Sequence, residues 1–200
     1  MILFWKILLV AFSLACFISF AWAIKKHFRT ANDSGEMPAG MRIISLLGLL
    51  FMILQLIAMV IIVEFSFWTA VAGALFYISS FALFWCAIAA TRQKRLTLAF
   101  SEDAPEHLLS SGPYRYVPHP FYSSYVLFWL AGVVGTLQWW LLPSVIVMTA
   151  LYFRAARLEE TKFAAGNLST EYLHYREQTG MFLPRLKLLR IPVKGKAERA

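Results

Sequence analysis

Ile43–Val63 reads IISLLGLLFMILQLIAMVIIV, 21 residues without a charge, in which Ser45 and Gln55 are the polar exceptions. At ~1.5 Å per residue a helix of this length covers the ~30 Å hydrocarbon core of a bilayer. A helix apolar on every side has no face to turn toward water. On its amino-terminal side, Ile2–Ile24 has the same character, interrupted only by Lys6. Beyond a short break at Glu64, Phe67–Ala90 repeats it. Two shorter candidates follow, Phe121–Leu137 and Trp139–Ala156, so close together that they must form a tight hairpin, with Gly132 and Gly135 allowing close helix contact. The expected fold is an all-α integral membrane protein of about five transmembrane helices, the last two a hairpin, with a cytoplasmic loop before them and an amphipathic C-terminal helix after.

Composition agrees. Of 200 residues, 60% are hydrophobic and 15% charged, where a soluble domain is nearer half apolar and a quarter charged. That excludes a disordered chain, a disulfide-stapled module and a water-soluble globule. The two cysteines, Cys16 and Cys86, lie inside apolar segments with no partner spacing, so they read as small buried hydrophobes. The net charge of +8 raises nucleic acid as a partner, but the basic residues gather between and after the apolar stretches. With five crossings, the segments 25–42, 91–120 and the tail from Arg154 fall on one side and hold 18 of the 19 lysines and arginines; only Lys6 is opposite. The positive-inside rule then places the amino terminus outside and the carboxyl terminus in the cytoplasm, in the plasma or inner membrane if the source is bacterial. Ala21-Trp22-Ala23 has the small-x-small form of a signal-peptide cleavage site, but the apolar run is longer than a usual signal core and Lys25-Lys26 follow, so it reads as a retained helix.

The chain divides by character into a three-helix region at 1–95, a half at 96–187 that alternates apolar helix with polar, aromatic-rich segments, and a basic tail at 188–200 suited to anionic lipid. Chemistry is expected in the middle part. Leu108-Leu109-Ser110-Ser111-Gly112-Pro113-Tyr114-Arg115-Tyr116-Val117-Pro118-His119-Pro120-Phe121-Tyr122 is too unusual for a connector. Gly112-Pro113 marks a turn, and Val117 and His119 each precede a proline and are pushed toward extended geometry. Pro120 suits the first turn of helix four, leaving His119 at the helix mouth. A second informative stretch is Arg154-Ala155-Ala156-Arg157-Leu158-Glu159-Glu160, where Arg154, Arg157 and Glu160 follow at intervals of three along one side of helix five. Plainer readings stand beside these: His119 as a helix cap, the acids and bases as a solvated terminus, Tyr116 and Tyr125 as an interfacial aromatic belt, and Trp139-Trp140 as belt anchors. His27, His107 and His174 have no ligand spacing, and no metal site is expected.

The order Gly-x-Tyr-x-x-x-x-His-Pro-x-Tyr, an apolar hairpin, Arg-x(4–5)-Glu-Glu, Tyr-x-x-Tyr and a final Thr…Pro, spread over roughly 96–187, resembles the isoprenylcysteine carboxyl methyltransferases and their relatives that methylate phospholipid head groups. The resemblance implies an integral membrane enzyme that uses S-adenosyl-L-methionine, enclosed by the C-terminal half, to methylate a lipophilic acceptor. By match, Tyr114, His119, Pro120, Phe121 and Tyr122 would line the cofactor site, as would the strip Glu106, His107, Leu108 and Leu109 and the acidic pair Glu159 and Glu160. Arg154, or equally Arg157, would be the substrate-side arginine. One departure is Pro118, where the family usually carries arginine; Arg115 is a candidate to compensate.

Methyl transfer from a sulfonium needs nucleophile, methyl and sulfur on one line, and orientation alone contributes ~7–11 kcal/mol. A carboxylate acceptor is already nucleophilic and needs only Arg154 or Arg157 to hold it. An amine acceptor needs a base, for which His119 or one glutamate is the candidate. Two other classes remain open: an NADPH-dependent membrane reductase of the sterol reductase type, whose chains are much longer, and a non-enzymatic membrane scaffold.

Overall fold

The computed structural model describes residues 2–28, 37–61, 66–92, 96, 100 and 107–185. Among the described residues every regular element is helical: α1 Ile2–Lys26, α2 Ala39–Ile61, α3 Phe67–Ala90, α4 Pro120–Thr136, α5 Leu142–Ala165 and α6 Ser169–Gln178, with 3-10 turns at Gly112–Arg115 and Trp139–Leu141. Four stretches are long and apolar enough to cross a membrane: α1, α2, α3 and Trp139–Ala165. With 17 residues, α4 is shorter than a full span, so the expected count of five is not reached on length alone. The expected end of the second span at Val63 and the tail at 188–200 lie outside the described residues.

Contacts between named residues give the directions. His27 Nε2 lies 2.7 Å from Thr91 Oγ1, and Trp5 packs edge-on against Phe67, so α1 and α3 run parallel. Lys6 Nζ donates to Val60 O at 3.0 Å, which makes α2 antiparallel to α1 and gives a terminal carbonyl a cation. Along α3, Phe84 meets Phe121, Ser80 Oγ donates to Ser124 O at 2.7 Å, and Gly73 meets Gly135, so α4 runs back along α3. Then α5 returns beside α4, with Trp129 Nε1 donating to Tyr152 OH at 3.1 Å.

The glycines of α4 serve a different neighbour from the one expected. A Cβ on Gly73 would sit 2.5 Å from Gly135 Cα, and one on Gly132 would run into the Gln55 side chain. They therefore bring α4 onto α3 and α2, not onto its hairpin partner α5. Leu137 closes α4 at a φ of +53°, its N–H bonded to Val133 O at 2.7 Å, and the chain turns at once toward Trp139, which is 77% exposed as a belt anchor should be. The interior is filled by rings, with Phe121, Tyr125 and Phe128 gathered around the Phe20–Phe84 pair.

Candidate active site

The sequence around the His-Pro element dictates how His119 is delivered. Gly112 adopts a φ of +57°, which a residue with a Cβ resists, and opens the 3-10 turn that buries Tyr114. The Val117 N–H closes the turn onto Pro113 O at 3.2 Å. His119 then stands between two prolines with φ −124° and ψ 60°, and Pro120 takes the first helical position, where its missing N–H is no loss. The His119 carbonyl accepts the Ser123 N–H at 3.1 Å, but its imidazole makes no capping bond. The ring is thereby available to something other than its own helix.

What it meets is the acidic pair. His119 Nδ1 lies 3.4 Å from Glu159 Oε2, and Nε2 lies 3.7 Å from Glu160 Oε1. The Glu160 side chain is 6% exposed and that of Glu159 34%, so one acid is interior and the other opens outward. Tyr122 OH donates to Glu159 Oε1 at 2.5 Å. The rings of His119, Tyr122 and Tyr152 stack in series, 5.6 and 5.7 Å apart and inclined at 25° and 10°. On the far side of Glu160, Arg176 Nε lies 3.8 Å from Oε2. The segment after α6 folds back over this group: Ser123 Oγ donates to Phe182 O at 2.7 Å, and the Phe182 ring abuts both His119 and Tyr122.

Electrostatics follow from this placement. Burial by itself lowers the pKa of an imidazole, but Glu159 and then Glu160, by contact and by charge, outweigh it and push His119 up to about 9. The geometry says the same independently. Both ring nitrogens face a carboxylate, Nδ1 at 3.4 Å and Nε2 at 3.7 Å, the latter beyond hydrogen-bond reach, so the two acids act on the ring chiefly through their charge. Tyr114 is shifted upward by burial first and by Glu159 next, so its hydroxyl lies within the field of that acid. Three buried oxygens here have no hydrogen-bond partner among the described residues: Tyr114 OH, Glu160 Oε2 and Tyr172 OH. Orphaned polar atoms in a protein interior cost ~1–3 kcal/mol each, and such a group calls for a ligand or water.

Of the residues singled out from sequence, Tyr114, His119, Pro120, Phe121, Tyr122 and Glu160 are buried at this end of the bundle, and Glu159 is half-buried beside them. His107, Leu108 and Leu109 are partly buried, with Leu109 against the core, while Glu106 lies outside the described residues. Arg154 and Arg157 are both exposed and, like Glu160, lie on α5 at intervals of three as expected, but neither pairs with Glu160 among the described residues; the ion pair of Glu160 runs to Arg176 on α6. Arg157 lies over the Phe153 ring at 5.9 Å, and Phe153 in turn meets Phe182. Tyr125 is no belt residue, since it packs on Phe20, Phe84, Tyr122 and Tyr152. Sequence reasoning missed Arg176, Tyr152 and Phe182. For Arg176 a signal existed, because it follows Tyr172 by four and so shares its helix face.

These features define a multi-pass helical membrane protein with an ionic and aromatic cluster where α4 begins and α5 ends. The chain belongs to the phospholipid methyltransferase family, which matches residues 67–170, just over half of its length, and includes the isoprenylcysteine carboxyl methyltransferase-like membrane enzymes. It is thus a membrane methyltransferase by family, and that family generally uses S-adenosylmethionine. No curated protein matches the chain.

Proposed function

We propose that this protein binds S-adenosylmethionine at the His119–Glu159–Glu160 cluster and transfers its methyl group to the carboxylate of a lipophilic, prenylcysteine-like acceptor at the cytoplasmic face of the membrane. The observation that carries the reading is the convergence of His119 from the start of α4 with both acids from the end of α5, beside buried hydroxyls that lack partners. The donor set suits the cofactor. Carboxylates at 159 and 160 match an ammonium or ribose hydroxyls, and the unpartnered Tyr114 hydroxyl matches a further polar group. When bound, the sulfonium supplies an electrophilic methyl, whose bond to sulfur breaks, leaving the electron pair on sulfur, as a bond to the acceptor oxygen forms.

The state of His119 favours a carboxylate acceptor over an amine. Held between two carboxylates, the imidazolium keeps its proton at neutral pH and has no lone pair with which to take a proton from an amine, while Glu159 and Glu160 are committed to the imidazolium and the cofactor. A carboxylate needs no base, only a cation to hold it. Arg157 is the better placed of the two α5 arginines, because the ring beneath it leads through Phe182 to His119 and Tyr122.

Calorimetric titration of the detergent-purified protein tests this. Saturable binding of S-adenosylmethionine, absent for NADPH and lost in Glu160→Ala and His119→Ala, is the expected result, with labelled methyl appearing in a lipid-soluble, alkali-labile product. Saturation by NADPH alone would make the protein a reductase, silence with both a scaffold, and an alkali-stable product an amine methylase. Reporter fusions should place the carboxyl terminus in the cytoplasm.

A further inference from the structure

The cluster contains a cation that the family resemblance did not supply. Arg176 starts from the inward face of α6, four residues after Tyr172, which is 1% exposed and stacked on Phe163 at 4.8 Å. The helix is anchored a second time by Tyr175, whose hydroxyl donates to the Tyr114 carbonyl. The guanidinium is therefore delivered from a fixed backbone. Yet among the described residues it makes no hydrogen bond, and its ion pair with Glu160 spans 3.8 Å, beyond hydrogen-bond reach. Glu160 Oε2 and Tyr172 OH, both buried, have no hydrogen-bond partner among the described residues beyond a loose interaction with each other. A fork of donors thus lies beside an acid that it approaches without hydrogen-bonding. No arginine precedes His119, where Pro118 stands, and Arg115 is exposed.

We propose that Arg176 is the specificity-determining residue for the amino-acid end of the methyl donor, holding its carboxylate while Glu160 takes the neighbouring ammonium. An α-amino acid carries both charges on one carbon, so it demands an acid and a base only a few ångströms apart. Arg176 and Glu160 are such a couple, and the arginine fork suits two carboxylate oxygens. The inference rests on the cofactor reading above.

The test is a cycle of two ligands and two proteins, read by calorimetry. S-adenosylmethionine and its decarboxylated analogue, which lacks only the carboxylate, are titrated into the wild type, Arg176→Gln and Arg176→Lys. The wild type should prefer the intact cofactor roughly 10- to 100-fold. Arg176→Gln should abolish that preference by weakening the intact cofactor alone, with the analogue unchanged within about twofold. Arg176→Lys, which keeps the charge and loses the fork, should fall between and also serves should the glutamine variant fail to fold. Equal weakening of both ligands would reduce Arg176 to a prop for α6 and overturn the proposal, as would unchanged discrimination in Arg176→Gln. A wild type that binds both equally refutes this inference alone; one that binds neither refutes the cofactor reading with it.

Discussion

The two halves of this molecule handle buried polarity in opposite ways. Across α1–α3 the interior polar groups are neutral and mostly bond to each other, with Gln55 Oε1 and Trp85 Nε1 left without a partner among the described residues. Gln55 Nε2 donates to Tyr77 OH and reaches Ser13 Oγ at 3.5 Å, and Ser13 Oγ lies 3.5 Å from Met52 Sδ. From the Gly112 turn onward the interior holds the ionisable His119 and Glu160, with oxygens of Tyr114, Thr149, Glu160 and Tyr172 outside any hydrogen bond counted among the described residues. In hydrocarbon, side-chain hydrogen bonds fasten helices at ~0.6–2 kcal/mol. A buried ion pair does not repay its desolvation so readily, and keeping one is weak evidence for stability. The first region is built to hold; the second keeps charge where it costs something, which is why the proposed binding site is placed there.

Removing Glu160 should break this contrast most severely. Glu160→Ala leaves a buried imidazolium with one acid, and loss of one partner from such a pair costs about 3–5 kcal/mol, read as a lowered unfolding midpoint in detergent together with loss of S-adenosylmethionine binding. Next comes pH. Because the folded pKa of His119 is raised to about 9, its stabilisation is fully present below the unfolded value of ~6.5 and is lost as pH rises through 9. Thermal unfolding between pH 6 and 10 should show a decline of roughly 3 kcal/mol, and His119→Asn should flatten it.

Two smaller effects probe the holding region. Gly73→Ala places a Cβ 2.5 Å from the Gly135 backbone, which can only be relieved by separating α3 from α4, at about 1–3 kcal/mol. Gly132→Ala meets the end of the flexible Gln55 side chain and should cost less in the same thermal assay. Smallest is Gln55→Leu, expected to lower stability by ~0.6–1 kcal/mol and to leave cofactor affinity unchanged. A large loss of affinity there would show that the polar groups of the first half belong to the site as well.

Sequence made the long elements legible because length and absence of charge suffice for a membrane helix. Phe67–Ala90 is recovered residue for residue, and the His-Pro turn behaves as its prolines require. What it concealed is inwardness. Lipid and protein core are equally apolar, so no periodicity distinguishes the face of α4 that meets α3 from one that meets lipid. That is why, from sequence alone, Tyr125 reads as interfacial and Gly132 and Gly135 read as facing α5. The site was legible in part: the His119 and Glu159–Glu160 elements stood out by their unusual composition, but Arg176, Tyr152 and Phe182 join them only through the return of α5, α6 and the segment beyond onto the start of α4.

The imidazole of His119 reports on the central claim directly. Nitrogen-15 spectra of histidine-labelled protein in micelles, with His119→Asn for assignment, should show both ring nitrogens protonated at pH 7, titrating near 9, and moving when S-adenosylmethionine is added. A neutral ring at pH 7 whose resonances ignore saturating cofactor would contradict the account.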